Sequence, residues 1–152
     1  MISISNISQT YRGKTIFNSL NWSIKKNRKY GLVGPNGTGK TTLLNVVSGI
    51  LKPDKGEINI PGKLDIGYLA QDLNYKLKDK TVVLEALEGL EFESDELIAE
   101  NLKYKAEKIL MGLGFSVEMF NELASNLSGG WKMRIELAKI LLGEPNLLLL
   151  DE

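Results

Sequence analysis

Apolar and polar residues alternate at the start of the chain. Ile2 and Ile4 are separated by serines and followed by Ile7, a period-2 pattern that predicts a half-buried strand over Met1–Ile7. A turn at Tyr11-Arg12-Gly13-Lys14 leads into a second strand, Thr15–Ile24. Lys29-Tyr30-Gly31-Leu32-Val33 is short and apolar enough to predict a buried strand. Beyond a glycine-rich loop, Leu43, Leu44, Val46, Val47 and Ile50 suit a helix packed on a sheet. Lys52-Pro53-Asp54-Lys55-Gly56 is a turn by composition, followed by strands Glu57–Ile60 and Asp65–Leu69, split at Pro61-Gly62.

From about Thr81 the period becomes helical. Leu102, Ala106, Ile109, Leu110 and Leu113 recur at helical spacing, with Gly114 placed to end the helix. Ser128 can cap a further helix carrying Met133, Leu137, Ile140 and Leu141, closed by Gly143 and Pro145. The chain then reads Leu147-Leu148-Leu149-Leu150-Asp151-Glu152, an apolar strand delivering two carboxylates to its C-terminal edge. No repeat, linker or low-complexity segment interrupts this order.

Composition narrows the chemistry. A chain of 152 residues has room for one domain with a real core. Nineteen basic residues balance nineteen acidic ones, so no global field favours nucleic acid or a membrane surface. Cysteine is absent, which excludes disulfides, thiol nucleophiles and thiolate metal sites. Histidine is absent too, so catalysis must use carboxylates, Lys40 and a metal. The longest apolar run, Leu147–Leu150, is far too short to span a bilayer. With no leader pattern at Met1, a cytoplasmic location without direct membrane insertion is expected.

The loop Gly34-Pro35-Asn36-Gly37-Thr38-Gly39-Lys40-Thr41 fits G-x-x-x-x-G-K-[ST], a phosphate cradle that continues into Thr42 at the helix start. Its glycines allow successive N–H groups to turn inward toward phosphate oxygens, and the following helix adds the positive end of its dipole. Lys40 is expected to reach the β- and γ-phosphates, and the Thr41 hydroxyl to ligate Mg²⁺. A triphosphate needs an acidic partner for its metal. Asp151 is the candidate ligand and Glu152 the candidate group that polarises the attacking water. Leu127-Ser128-Gly129-Gly130-Trp131 supplies a second helix start with free N–H groups and a hydroxyl, again an anion site.

In this order (Tyr11, cradle 34–41, Gln71, Leu127–Trp131, Leu147–Glu152) the chain resembles the ATP-binding cassette (ABC) superfamily. The resemblance implies an α/β P-loop NTPase fold with N-terminal antiparallel strands, a parallel core sheet and a helical signature subdomain. Within one partial ATP-binding domain, residues 1–75 would form the β subdomain, 76–142 the helical subdomain and 143–152 the Walker B strand. It also implies ATP and Mg²⁺ as ligands. Tyr11 would stack on adenine, Gln71 would reach Mg²⁺ and the attacking water, and Ser128, Gly129 and Gly130 would be read in trans by a second ABC domain, on the same chain or in a homodimer.

Trp131, in place of the glutamine usual in transporter ATPases, is similar to the ABC-F group, as is Lys105–Phe115. ABC-F proteins carry two ATPase domains, lack a membrane partner and typically act on the ribosome, some protecting it from antibiotics. The chain departs from that group in two respects. Only about 55 residues separate Gln71 from Leu127, so the helical arm common there is missing or reduced. It also stops at Glu152, before a further core strand and a switch histidine, which implies an amino-terminal piece of a longer protein that alone hydrolyses ATP barely, if at all. The runner-up reading is the ATPase subunit of a membrane transporter; a third is a non-catalytic nucleotide-binding fragment. No Asn-Lys-x-Asp element for guanine is present.

Overall fold

The computed structural model describes residues 1–60, 62–71, 79–90 and 96–151. Strands β1 (Ile2–Tyr11), β2 (Lys14–Ile24) and β3 (Lys55–Asn59) form an antiparallel sheet in the order β2-β1-β3. Strand β4 (Ile66–Leu69) pairs in parallel with β5 (Leu147–Leu150), Ile66 opposite Leu147 and Leu69 opposite Leu150. The helices are α1 (Lys40–Val47), α2 (Val82–Ala86), α3 (Glu96–Gly112) and α4 (Gly129–Leu142), with 3₁₀ turns at Glu118–Asn121 and Ala124–Asn126.

The spacing Ile2, Ile4, Ile7 breaks strict alternation by one residue. The ladder absorbs that slip with a bulge: Asn6 takes φ 52°, its amide is held by Asn21 Oδ1 at 2.9 Å, and the register shifts between Ile4 and Ile7. All three isoleucines thereby face one core, and β1 runs on to Tyr11 rather than ending at Ile7.

Two apolar cores result. One joins Ile2, Ile4, Ile7 and Ile24 to Leu43, Leu44, Val46 and Val47 of α1 and to Leu149 of β5. The other joins Val82, Val83, Ala86 and Leu87 to Ala106 and Leu110 of α3 and to Ile135, Ala138 and Leu142 of α4. Each fully buried aliphatic side chain contributes about 1.5–3 kcal/mol by leaving water. The α4 seam is broader than Met133, Leu137, Ile140 and Leu141 suggested. Those four are half-buried, and the deepest positions are Ile135, Ala138 and Leu142. The helix covers a sheet on one side and a helical core on the other. Ile140 and Pro145 sit over Gly67 of β4 so closely that a Cβ there would collide with both.

One expectation fails. Among the described residues Lys29–Val33 forms no strand, and Val33 is 98% exposed. A strand exists only through a ladder partner, and β5 pairs on β4's side alone. Tyr30 instead turns toward β2, its ring edge-on to Trp22 at 5.4 Å and its hydroxyl accepting from the Lys25 amide at 3.0 Å.

Candidate functional site

The glycine-rich loop runs from Gly34 into α1, which starts at Lys40 behind Gly39. Gly39 adopts φ 101°, and a Cβ would strike the Ile16 side chain of β2, so only glycine lets the loop lie against the hairpin. Thr38 Oγ1 donates to the Pro35 carbonyl at 2.8 Å. The Lys40 ammonium donates to the carbonyls of Gly34 at 2.8 Å and Pro35 at 3.1 Å. The lysine is therefore folded back on the oxygens of its own loop. Any stronger anionic acceptor presented to the loop competes for it.

A cavity of about 430 Å³ collects residues from four separate parts of the chain. The loop and α1 contribute Asn36, Gly37 and Gly39 to Thr42; the hairpin contributes Tyr11 and Ile16; Gln71 follows β4 and Asp151 follows β5. Gly34, Pro35 and Thr38 do not line the cavity; they shape the loop and hold Lys40. Tyr11 stands 61% exposed at the hairpin end, beside Arg12, whose guanidinium lies 5.4 Å from its ring centre. The neighbouring Thr10 amide is pinned by Asp54 Oδ2 at 2.7 Å, which ties the hairpin to the turn just before β3.

Asp151 is 8% exposed. Its amide continues the ladder by donating to the Leu69 carbonyl at 2.9 Å. Its carboxylate accepts from the Tyr68 hydroxyl at 3.3 Å. Burial, and then the neighbouring Asp151 charge and hydrogen bond, push the Tyr68 phenol above its ordinary pKa. Glu152 lies outside the described residues, as do residues 72–78.

Ser128, Gly129 and Gly130 are exposed at the start of α4, and no side-chain hydrogen bond caps that end. None of the three lines the cavity. Behind this turn, Trp131 packs against Phe115 with ring centres 4.7 Å apart, and Arg134 lies over its face at 4.5 Å while donating to the Leu113 carbonyl.

Further along α4, Lys139 donates to Glu85 of α2 at 2.6 Å, to Glu136 at 2.9 Å and to Glu88 at 3.4 Å. Burial works against the Lys139 charge, but its bonds to Glu85 and Glu136 outweigh it and hold the ammonium above its usual pKa. This network joins the helix of the Ser-Gly-Gly turn to α2, the first described helix after Gln71.

Sequence reasoning missed Ile16, Tyr68, Glu85 and Lys139 as contributors. The available signal was a charge inside an apolar helical face, Glu85 between Val83 and Ala86.

The donor set fits a metal–triphosphate. Thr41, Gln71 and Asp151 offer hard oxygens to one cavity, the type that Mg²⁺ takes. Among the described residues no group of three or more Asp, Glu, His or Cys could hold a metal. Among the described residues no helix is long and apolar enough to cross a membrane.

A family model described as "ABC transporter" matches residues 17–152. ABC transporter F family member 5 of Arabidopsis thaliana is 31% identical over 189 residues, covering 99% of this chain and 27% of the relative. Bacillus subtilis YfmR, an ABC transporter ATP-binding protein, is 35% identical and covers 100% of this chain and 24% of its own length. The zinc import ATP-binding protein ZnuC of Buchnera aphidicola is 34% identical, with 100% and 60% covered. The chain thus spans about a quarter of the length of the first two. Among solved structures, cbiO1 of Clostridium perfringens superposes with a TM-score of 0.78 at 26% identity, over 99% of this chain and 64% of that one. The dimeric cassette MJ0796 gives a TM-score of 0.78 at 24% identity, a likeness of fold, over 100% and 74%.

Proposed function

The chain belongs to the ABC transporter family, and from that premise we propose that it is an ATP-binding and ATP-hydrolysing cassette of the ABC-F kind. The observation that carries this reading is the single cavity shared by Tyr11, Lys40, Thr41, Gln71 and Asp151. Bound Mg²⁺ neutralises charge on the β- and γ-phosphates.

The chain's own residues do the rest. Tyr11 stacks on the adenine, and the loop from Gly34 to Thr42 surrounds the phosphates with backbone N–H groups. Lys40 leaves the carbonyls of Gly34 and Pro35 for phosphate oxygens. Thr41, Gln71 and Asp151 would hold the metal, Asp151 being oriented by Tyr68. Gln71 and Glu152 orient the attacking water. Ser128, Gly129 and Gly130, exposed and outside this chain's own cavity, enclose the γ-phosphate bound by a second ABC domain.

The similarity to F-family members favours an intact protein that acts on the ribosome, and Trp131 in the signature turn supports that reading. The similarity to a zinc-import ATP-binding protein keeps the membrane-transporter subunit as the second reading. Sedimentation of the tagged full-length protein with ATP present tests the pair. Enrichment with ribosomes supports the first, and enrichment with membranes overturns it in favour of the second.

A further inference from the structure

Helix α3 turns Ala106 and Leu110 into the helical core. On its opposite side Leu97, Tyr104 and Met111 are 71%, 67% and 55% exposed. They recur every seven residues, and seven residues return a helix to within about 20° of the same direction, so the three form one stripe. Charges of both signs flank the stripe: Glu96, Glu100 and Lys103 lie before Tyr104, and Lys105, Glu107 and Lys108 after it.

We propose that this stripe docks onto the α3 of a second copy of this chain, the two helices running antiparallel about a two-fold axis at Tyr104. In that register Leu97 faces Met111 of the partner copy and Tyr104 meets its own counterpart. Glu100 lies level with Lys108 on both sides of the axis, giving two symmetric ion pairs. The antiparallel arrangement also sets each helix N-terminus beside the other's C-terminus, which suits both dipoles. A parallel pairing would set Glu100 against Glu100 and Lys108 against Lys108, so charge selects the direction. Contact along 17 residues, about 25 Å of helix, falls at the small end of specific interfaces. The association is weak unless other contacts add to it. No residue of α3 lines the nucleotide cavity, so this pairing is separate from the ATP-dependent one proposed above and needs no nucleotide.

The absence of cysteine makes the test direct. Under mild oxidation without ATP, Tyr104→Cys forms a disulfide-linked dimer. Leu97→Cys and Met111→Cys each remain monomeric alone but link to each other when mixed. Like positions at 97 or 111 lie about 21 Å apart along an antiparallel pair, whereas a disulfide needs Cα atoms within about 7 Å. Glu100→Lys weakens self-association about tenfold in sedimentation, and Glu100→Lys with Lys108→Glu restores it. Far-UV circular dichroism confirms that each variant is folded. The proposal is overturned if Tyr104→Cys links no faster than the exposed control Lys52→Cys, or if Leu97→Cys links to itself as fast as Tyr104→Cys. It is equally overturned if the charge swap fails to restore association.

Discussion

Lys139 of α4 and Glu85 of α2 meet at 2.6 Å, with the Glu85 side chain 1% exposed. The pair binds the helix that begins at the Ser-Gly-Gly turn to the helix that follows the Gln71 segment. Lys139→Ala leaves a buried carboxylate without its cation and should destabilise the fold by about 3–5 kcal/mol, measured by urea unfolding. Lys139→Met with Glu85→Leu removes both charges and should recover most of that loss. The sign of the pH dependence follows from the raised Lys139 pKa. Its contribution is complete below the ordinary lysine value of 10.5 and is lost as pH rises through the higher folded value. Wild type should therefore lose stability at strongly alkaline pH more steeply than the double variant.

Tyr68 should ionise above the ordinary tyrosine value, because its phenolate would form in a partly buried place beside the Asp151 carboxylate. In an ultraviolet titration, the wild-type minus Tyr68→Phe difference should show a component ionising above 10.0. The same variant should cost about 0.5–1.5 kcal/mol of stability for the lost hydrogen bond. A difference curve centred at or below the ordinary tyrosine value would contradict this contact.

Gly67→Ala puts a Cβ into Ile140 and Pro145. Overpacking of that kind costs about 1–3 kcal/mol, and here it pushes α4 off the parallel strands. Thermal unfolding of Gly67→Ala should show the loss. Gly62→Ala, where a Cβ meets nothing within 4 Å but φ is +73°, should show only a smaller backbone strain.

What the sequence disclosed was whatever short range decides. The loop at 34–41 and the core face of α3 are each set by neighbours along the chain, and each was legible. Lys29–Val33 has the same apolar look as Leu147–Leu150, yet only the latter is a strand, because pairing is a property of two segments. Glu85 and Lys139 stand 54 residues apart, and no local pattern couples them. The bulge at Asn6 was implicit in the spacing of Ile4 and Ile7 but needed the partner strand to place it. Of the cavity lining, Asn36, Gly37, Gly39 to Thr42 and Asp151 were singled out from the sequence. Ile16 and Tyr68 could not be, since their roles are to support glycine and carboxylate across the fold.

A fluorescent ATP titration with and without Mg²⁺ tests whether the Lys40 loop and Asp151 serve one magnesium–triphosphate. Saturable binding by the folded chain should weaken at least about tenfold in Lys40→Ala, and a Mg²⁺-dependent gain should be lost in Asp151→Asn, while both variants unfold like wild type. Absence of saturable binding, or Lys40→Ala and Asp151→Asn variants that bind as the wild type does, would contradict it.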